Sequence, residues 1–324
     1  LLPAYVISIR GGVGESTANI GKVYFSSDTF LNHAAVNPTF SLIYSLDKTD
    51  DYASEFDYFD EEERAKIVDG LLSGTPTTTT ASPSTPLSLN DSTATPPNII
   101  VILMEGFGGQ FVEAVSGRKD ITPNYNRLAR EGILFTNCYS NSFRTDRGML
   151  STLSGYPAFP TLSVMKIPAK SRSLPCIAST LKEKGYENTF LYGGDINFTN
   201  MQSYLRTGGY ETIVSDVDFS ADEKKQNPWG ANDDITFNRL YDIVSGKRHE
   251  PWHVCYLTLS SHEPWVVPYK RFSDPVPNAF AFTDKCLGDF VEKIRKTPLW
   301  DNLLIVCIPD HGYHYPEDIS HATH

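Results

Sequence analysis

The chain is short of positive charge: 28 Lys and Arg stand against 39 Asp and Glu, a formal net charge of −11 over 324 residues. That balance argues against a nucleic-acid partner, because phosphate-backbone binding wants a basic face. No run of eighteen apolar residues occurs, so the sequence as it stands holds no membrane span. No signal-peptide pattern is visible either. The five cysteines, Cys138, Cys176, Cys255, Cys286 and Cys307, show no CxxC spacing, which disfavours a Cys-rich zinc site. Cys255 and Cys307 fall within apolar strand candidates and read as small core residues. The odd count leaves the redox compartment open.

What is present is a globular composition, 40% hydrophobic and 12% aromatic, long enough for one large domain or one domain with an appendage. The opening stretch, Leu1-Leu2-Pro3-Ala4-Tyr5-Val6-Ile7-Ser8-Ile9-Arg10, is apolar and then basic. It reads either as an edge strand or as the outer end of a membrane helix. Thr75–Pro97 marks the clearest boundary, since 17 of its 23 residues are Ser, Thr or Pro. Such a stretch buries too little apolar surface to offset chain entropy and is expected to be a linker. The expected organisation is therefore an N-terminal segment over 1–74, a linker over 75–97 and a catalytic domain over 98–324. Asp60–Leu72 is a helix candidate with an acidic first turn.

Beyond the linker, strands and helices alternate. Asn98–Met104, Ile133–Tyr139, Glu187–Tyr192, His253–Leu259 and Leu303–Ile308 read as strands. Thr122–Glu131, Thr145–Leu153, Pro175–Lys184, Asp233–Val244 and Ala279–Arg295 read as helices. The fold class is α/β, a mostly parallel central sheet flanked by helices. In such sheets ligands sit beyond the carboxyl ends of the strands. Glu105 follows one buried strand, and Asp310-His311-Gly312 follow another. Thr145 opens a helix, whose N-terminus attracts anions. One hydroxyl, two carboxylates and one imidazole suit a divalent cation, Mn²⁺, Zn²⁺ or Mg²⁺. A Thr hydroxyl is a poor nucleophile that a metal can activate, so the pattern points to transfer of a phosphorus- or sulfur-centred group. The last residues, Ile319-Ser320-His321-Ala322-Thr323-His324, offer no closing element, and the domain is expected to continue beyond them.

Ile102-Leu103-Met104-Glu105-Gly106-Phe107, Thr122-Pro123-Asn124, Phe143-Arg144-Thr145, Ser154-Gly155-Tyr156-Pro157, Leu191-Tyr192-Gly193-Gly194-Asp195, Ser261-His262-Glu263-Pro264-Trp265 and Asp310-His311-Gly312 occur in an order that resembles lipoteichoic acid synthase-like proteins. These are sulfatase-domain members of the alkaline phosphatase superfamily. The resemblance runs from Asn98 onward. Upstream, Arg10-Gly11-Gly12 and Asn37-Pro38-Thr39-Phe40-Ser41-Leu42 look like the segment that follows the family's membrane helices.

The resemblance implies that Thr145 is the nucleophile and a metal ligand, with Glu105, Asp310 and His311 completing the shell and Mn²⁺ favoured. His262 would contact the transferred group or protonate the leaving group. Asp195, Arg144 and Arg147 would line the substrate rim. The donor would be a phospholipid, losing a phosphoglycerol or phosphoethanolamine head group to a sugar or to water. The catalytic domain would lie outside the cytoplasm on a membrane anchor. Where the polymerising enzymes carry Trp-Asn-Arg, this chain reads Thr199-Asn200-Met201, which disfavours chain extension. No Cys-x-Pro-x-Arg segment is present, which disfavours formylglycine sulfatase chemistry. The rival expectations are a phosphodiesterase, phosphatase or sulfatase-type hydrolase of the same superfamily, and a non-catalytic envelope binding protein.

Overall fold

The computed structural model describes residues 2–13, 16–26, 28–46, 57–73, 95–115, 117–159 and 161–315. Most of the Ser/Thr/Pro-rich stretch, residues 75–94, and the end of the chain lie outside the described residues. Contacts group residues 1–35 with 96–324 and set 36–95 apart as a second unit. In that second unit lie helices Pro38–Leu46 and Glu61–Ser73. The latter is the helix expected from its acidic start.

The larger unit is built on five strands: β1 (Asn98–Met104), β2 (Glu187–Tyr192), β3 (Thr212–Val214), β4 (Trp252–Leu257) and β5 (Leu303–Pro309), in the order β3-β2-β4-β1-β5. Every pairing is parallel. Central strands in such a sheet are covered on both faces, which is why β1 and β4 are almost continuous apolar runs. One face of the core is built by Ile100, Ile102, Tyr256, Phe280 and Phe290 under helices Asp233–Ser245 and Pro275–Ile294. The other is built by Leu103, Met149, Phe190, Leu257 and Tyr204 under helices Thr145–Ser154 and Met201–Thr207.

Two sequence expectations fail here. Of the two readings of the opening stretch, the edge strand fails, since Leu2–Arg10 is a helix. Pro3 suits the first helical turn, where its missing N–H costs nothing. Leu2, Tyr5, Val6 and Ile7 are exposed on it. Ile133–Tyr139 forms no strand, and Ile133, Phe135 and Tyr139 are 64%, 74% and 84% exposed. Alternation supplies a face but not a partner, and no described strand pairs beyond β5, whose Leu304 and Val306 are exposed. Among the described residues no helix is long and apolar enough to cross a membrane.

One buried group makes the fold sensitive to acid. His253 on β4 is fully buried, with Nε2 3.2 Å from the Tyr210 hydroxyl, and burial holds its imidazole down to about 4. Its folded value lies below the unfolded one, so the unfolded chain binds the proton first. Stability therefore falls as pH drops below about 6.5 and levels off near the folded value. The expected contribution between pH 7 and pH 5 is about 2 kcal/mol. Urea unfolding should show that this part of the pH slope is missing in His253→Gln, whatever its stability at pH 7.

Candidate active site

The parallel register places Leu103 opposite Ile308 and Met104 opposite Pro309, so the residues that follow each strand meet at one rim. Glu105 and Asp310 arrive there buried, at 5% and 2% exposure. Asp310 Oδ1 accepts the backbone N–H of Gly106 at 3.0 Å and that of His311 at 2.7 Å. Asp310 Oδ2 is buried without a hydrogen-bond partner and lies 3.5 Å from His311 Nε2. Gly106 has φ +66°, a left-handed turn that a side chain would strain, and it lets the chain leave β1 sharply.

Helix Thr145–Ser154 brings in the hydroxyl. Thr145 is its first residue and Arg144 its N-cap, so Thr145 does not serve as the cap. Instead Thr145 Oγ1 donates to Glu105 Oε2 at 3.1 Å and lies 3.4 Å from His311 Nε2. His311 Nε2 is also 3.3 Å from Glu105 Oε1. His311 Nδ1 is 2.8 Å from the carbonyl oxygen of Gly312. That bond makes Nδ1 a donor and leaves Nε2 as the nitrogen that faces the site, as in histidines that bind metals.

The electrostatics ask for a cation. Glu105, Asp310 and His311 are buried together, with ligand atoms all within 4.8 Å of one another. Burial, then the neighbouring Glu105 charge, pushes the Asp310 carboxyl up to about 7. Burial opposes charge on His311, yet Asp310 and Glu105 together raise its imidazole to about 10. A ring pulled so far toward its cationic form stands beside more negative charge than the protein itself balances. The unpartnered Asp310 Oδ2 is the complementary sign. Two hard carboxylates, one imidazole and one hydroxyl therefore fit a divalent ion.

The remaining residues singled out from the sequence stand around this centre. His262 is half-buried, its ring 4.8 Å from that of Trp229, and its Nδ1 is 2.7 Å from the Glu263 carbonyl oxygen. Burial alone would raise the nearby Glu105 carboxyl, but the hydrogen bond and charge of His311, with smaller help from His262 and Thr145, hold it below the usual carboxylate range. Arg144 is exposed, 3.7 Å from the buried Asp146. Arg147 is buried and donates to the Thr161 carbonyl at 3.1 Å, with its guanidinium 5.3 Å from the Phe143 ring centre. Asp195 Oδ1 accepts the backbone N–H of Asn197 at 2.8 Å and its side-chain amide at 3.0 Å, closing a local turn.

Thr199-Asn200-Met201 does not form a rim. Met201 is wholly buried in the core, and Asn200, 3% exposed, bonds the Gly21 amide and the Lys166 carbonyl. The backbone at Thr199 and Asn200 is left-handed, φ 53° and 62°. The aromatic ring beside His262 is Trp229, from a different loop.

Sequence reasoning missed the residues that hold Glu105. Thr258 Oγ1 accepts the Glu105 N–H at 2.9 Å, and Ser261 Oγ donates to the Glu105 carbonyl at 2.6 Å. The signal was there, a hydroxyl-rich turn directly after an apolar strand. Gly148 was missed too. A Cβ built on it would lie 2.1 Å from the carbonyl oxygen of Asp310, so the helix carrying Thr145 is pressed against the Asp310 backbone. A cavity of about 600 Å³ opens beside this contact, lined by Gln110, Cys138, Ser140, Asn141 and Asp310 among others.

Gly148→Ala is expected to push the Thr145 helix off the Asp310 backbone. Overpacking of this kind costs about 1–3 kcal/mol. Displacing a nucleophile by about 1 Å costs on the order of 100-fold in rate. Turnover measured on this variant at the wild-type level would show that the helix is not held by that contact.

Comparison with known proteins shows the family of the chain. The chain is 26% identical over 228 residues to phosphoglycerol transferase I of Xanthomonas campestris pv. campestris, a match covering 62% of this chain and 31% of that protein. A similar relative is phosphoglycerol transferase I of Citrobacter koseri, 24% identical over 212 residues, covering 59% of this chain and 28% of that one. The chain thus spans about a third of the length of the curated relatives it matches. Among solved structures, a protein in the alkaline phosphatase superfamily from Vibrio parahaemolyticus superposes with a TM-score of 0.63 at 28% identity, over 70% of this chain and 57% of that one. The lipoteichoic acid synthase LtaP from Listeria monocytogenes shares the fold, TM-score 0.62 at 17% identity, over 69% of this chain and 58% of that one. The sulfatase family profile matches residues 97–323, well over half the sequence, and the chain belongs to that family.

Proposed function

We propose that the protein is a metal-dependent phosphotransferase acting outside the cytoplasm, which moves a phosphoglycerol or phosphoethanolamine head group from a phospholipid through a covalent Thr145 intermediate. The observation that carries this reading is the Thr145 hydroxyl at 3.1 Å from Glu105 and 3.4 Å from His311, at the first turn of a helix. The relatives named phosphoglycerol transferase I support the choice of transferred group.

Glu105, Thr145, Asp310 and His311 would hold the ion, Mn²⁺ favoured for this oxygen-rich set and Zn²⁺ or Mg²⁺ also suited. When bound, it would supply Lewis-acid activation of the hydroxyl and neutralise charge on the phosphate oxygens. In the first half-reaction Thr145 Oγ1 passes its proton to Glu105 Oε2, to which it already donates, and attacks phosphorus; the bond to the diacylglycerol oxygen breaks, and diacylglycerol leaves with a proton from His262. The helix N-terminus around Thr145 faces the phosphate oxygens with backbone N–H groups. His262, with Nδ1–H donating to the Glu263 carbonyl, turns Nε2 toward this exchange and gives that proton to the leaving oxygen from its doubly protonated ring. In the second, a sugar hydroxyl or water attacks the same phosphorus, the Thr145 Oγ1–P bond breaks, Glu105 returns the proton to Oγ1, and His262 takes the proton of the attacking group. Arg144 is the exposed cation best placed to meet the substrate, while Arg147 is engaged by Thr161 and serves the loop. Asp195 would act from the rim. A membrane anchor preceding the exposed apolar helix Leu2–Arg10 would keep the site near its lipid donor.

The test is release of diacylglycerol from fluorescent phosphatidylglycerol and phosphatidylethanolamine with Mn²⁺, using full-length protein in membranes. Thr145→Ala should abolish release and the trapped phospho-adduct. Its melting temperature should shift little, because the side chain caps no helix end and such substitutions cost within about 1 kcal/mol. Undiminished release by that variant would remove Thr145 from the mechanism. Release of free head group without transfer to a sugar would favour the hydrolase alternative.

A further inference from the structure

Asp233 lies at the first turn of helix Asp233–Ser245 and is fully buried, yet it touches none of the four groups that would hold the ion. Its carboxylate faces four donors. Oδ1 accepts the Leu259 N–H at 2.8 Å and the Tyr256 hydroxyl at 3.1 Å. Oδ2 accepts the Ser260 N–H at 3.2 Å and the Thr283 hydroxyl at 2.5 Å. Its own N–H donates to Ser260 Oγ at 2.8 Å, and Ser260 Oγ donates to Asn232 Oδ1 at 3.0 Å. Burial pushes the carboxyl up, and these donors pull it back. A buried carboxylate costs several kcal/mol unless it is fully bonded, so a site that keeps one is using its geometry.

The two amides it grips, Leu259 and Ser260, sit between Thr258 and Ser261. Those are the two hydroxyls that hold the backbone of Glu105, one on its N–H and one on its carbonyl. His262 follows immediately, its N–H bonded to the Leu259 carbonyl at 3.0 Å. Fixing the middle of this turn thus fixes both ends of the clamp. Helix Pro275–Ile294, through Thr283, and strand β4, through Tyr256, complete the grip from the far side.

We infer that Asp233 is a positioning residue: it sets the turn Thr258–His262, and through Thr258 and Ser261 it aims the Glu105 carboxylate at the ion and His262 at the substrate. This rests on the metal-dependent reading above. A carboxylate can accept from all four donors, whereas an amide presents two hydrogens of its own to this cluster. Asp233→Asn should therefore disturb the clamp without removing any ligand.

The probe is Mn²⁺ alone, titrated into the full 324-residue chain by calorimetry, with the melting temperature read in parallel. Loss of an outer partner of a metal ligand typically weakens affinity about 10-fold to 100-fold. Asp233→Asn and Ser261→Ala should each raise the Mn²⁺ Kd by about 10-fold. The double variant should be no more than about threefold worse than the weaker single, because both act on one element. Val244→Ala, a buried position further along the same helix, should lower the melting temperature with the Kd unchanged. If Asp233→Asn does not fold, Thr283→Val, which removes one donor from the far side, should still raise the Kd severalfold. Kd values within twofold of wild type in the Asp233 or Thr283 variants would overturn the inference, as would multiplicative effects in the double variant or an equal Kd change in Val244→Ala. A wild-type chain that binds no Mn²⁺ would overturn the metal-dependent reading and this inference together. Normal wild-type binding with unchanged variants would overturn this inference alone.

Discussion

Two carboxylates buried side by side, Glu105 and Asp310, are the constraint around which the molecule is arranged. Like charges in a dry site repel, and each must lose its water. The fold meets that cost with backbone donors where it can: Gly106 and His311 amides for Asp310, a Thr hydroxyl and an imidazole for Glu105. What remains is a deficit of positive charge at Asp310 Oδ2, and it is this residue of imbalance that gives the site its appetite for an ion.

Packing serves the same end. The helix that begins at Thr145 can approach the Asp310 backbone only because position 148 has no side chain. The turn after β4 can wrap Glu105 only because Thr258 and Ser261 place hydroxyls on its N–H and carbonyl. Each converts a sheet rim, which the parallel topology supplies generically, into a particular set of distances.

Much of this was legible in the residues. Asn98–Met104 and Glu187–Tyr192 match their strands, since buried parallel strands need unbroken apolar runs and both have them. Thr145, Glu105, Asp310 and His311 converge as their places after strands and at a helix start imply. The illegible parts depend on partners distant in sequence. Ile133–Tyr139 has a strand's composition and no strand to pair with. Thr122 has the identity of a capping residue, yet its hydroxyl donates to the Phe111 carbonyl at 2.8 Å and caps nothing. Asn200 and Met201 fell where a rim was expected and are inside, because the segment around Gly21 and Tyr24 packs over them, with Gln202 donating to the Tyr24 carbonyl. No local pattern encodes that contact.

The pairing of β1 with β5 joins groups as far apart in the chain as Gly106 and Asp310, 204 residues. Non-local strand pairing of this kind is slow, because a long loop must close before the contact rewards it. Glu105, Asp310 and His311 consequently come together only after β5 has been synthesised and has docked. A ribosome-bound chain that stops short of Leu303 would carry Thr145 and Glu105 without Asp310 and His311, so the buried cluster has no half-assembled form held by local contacts.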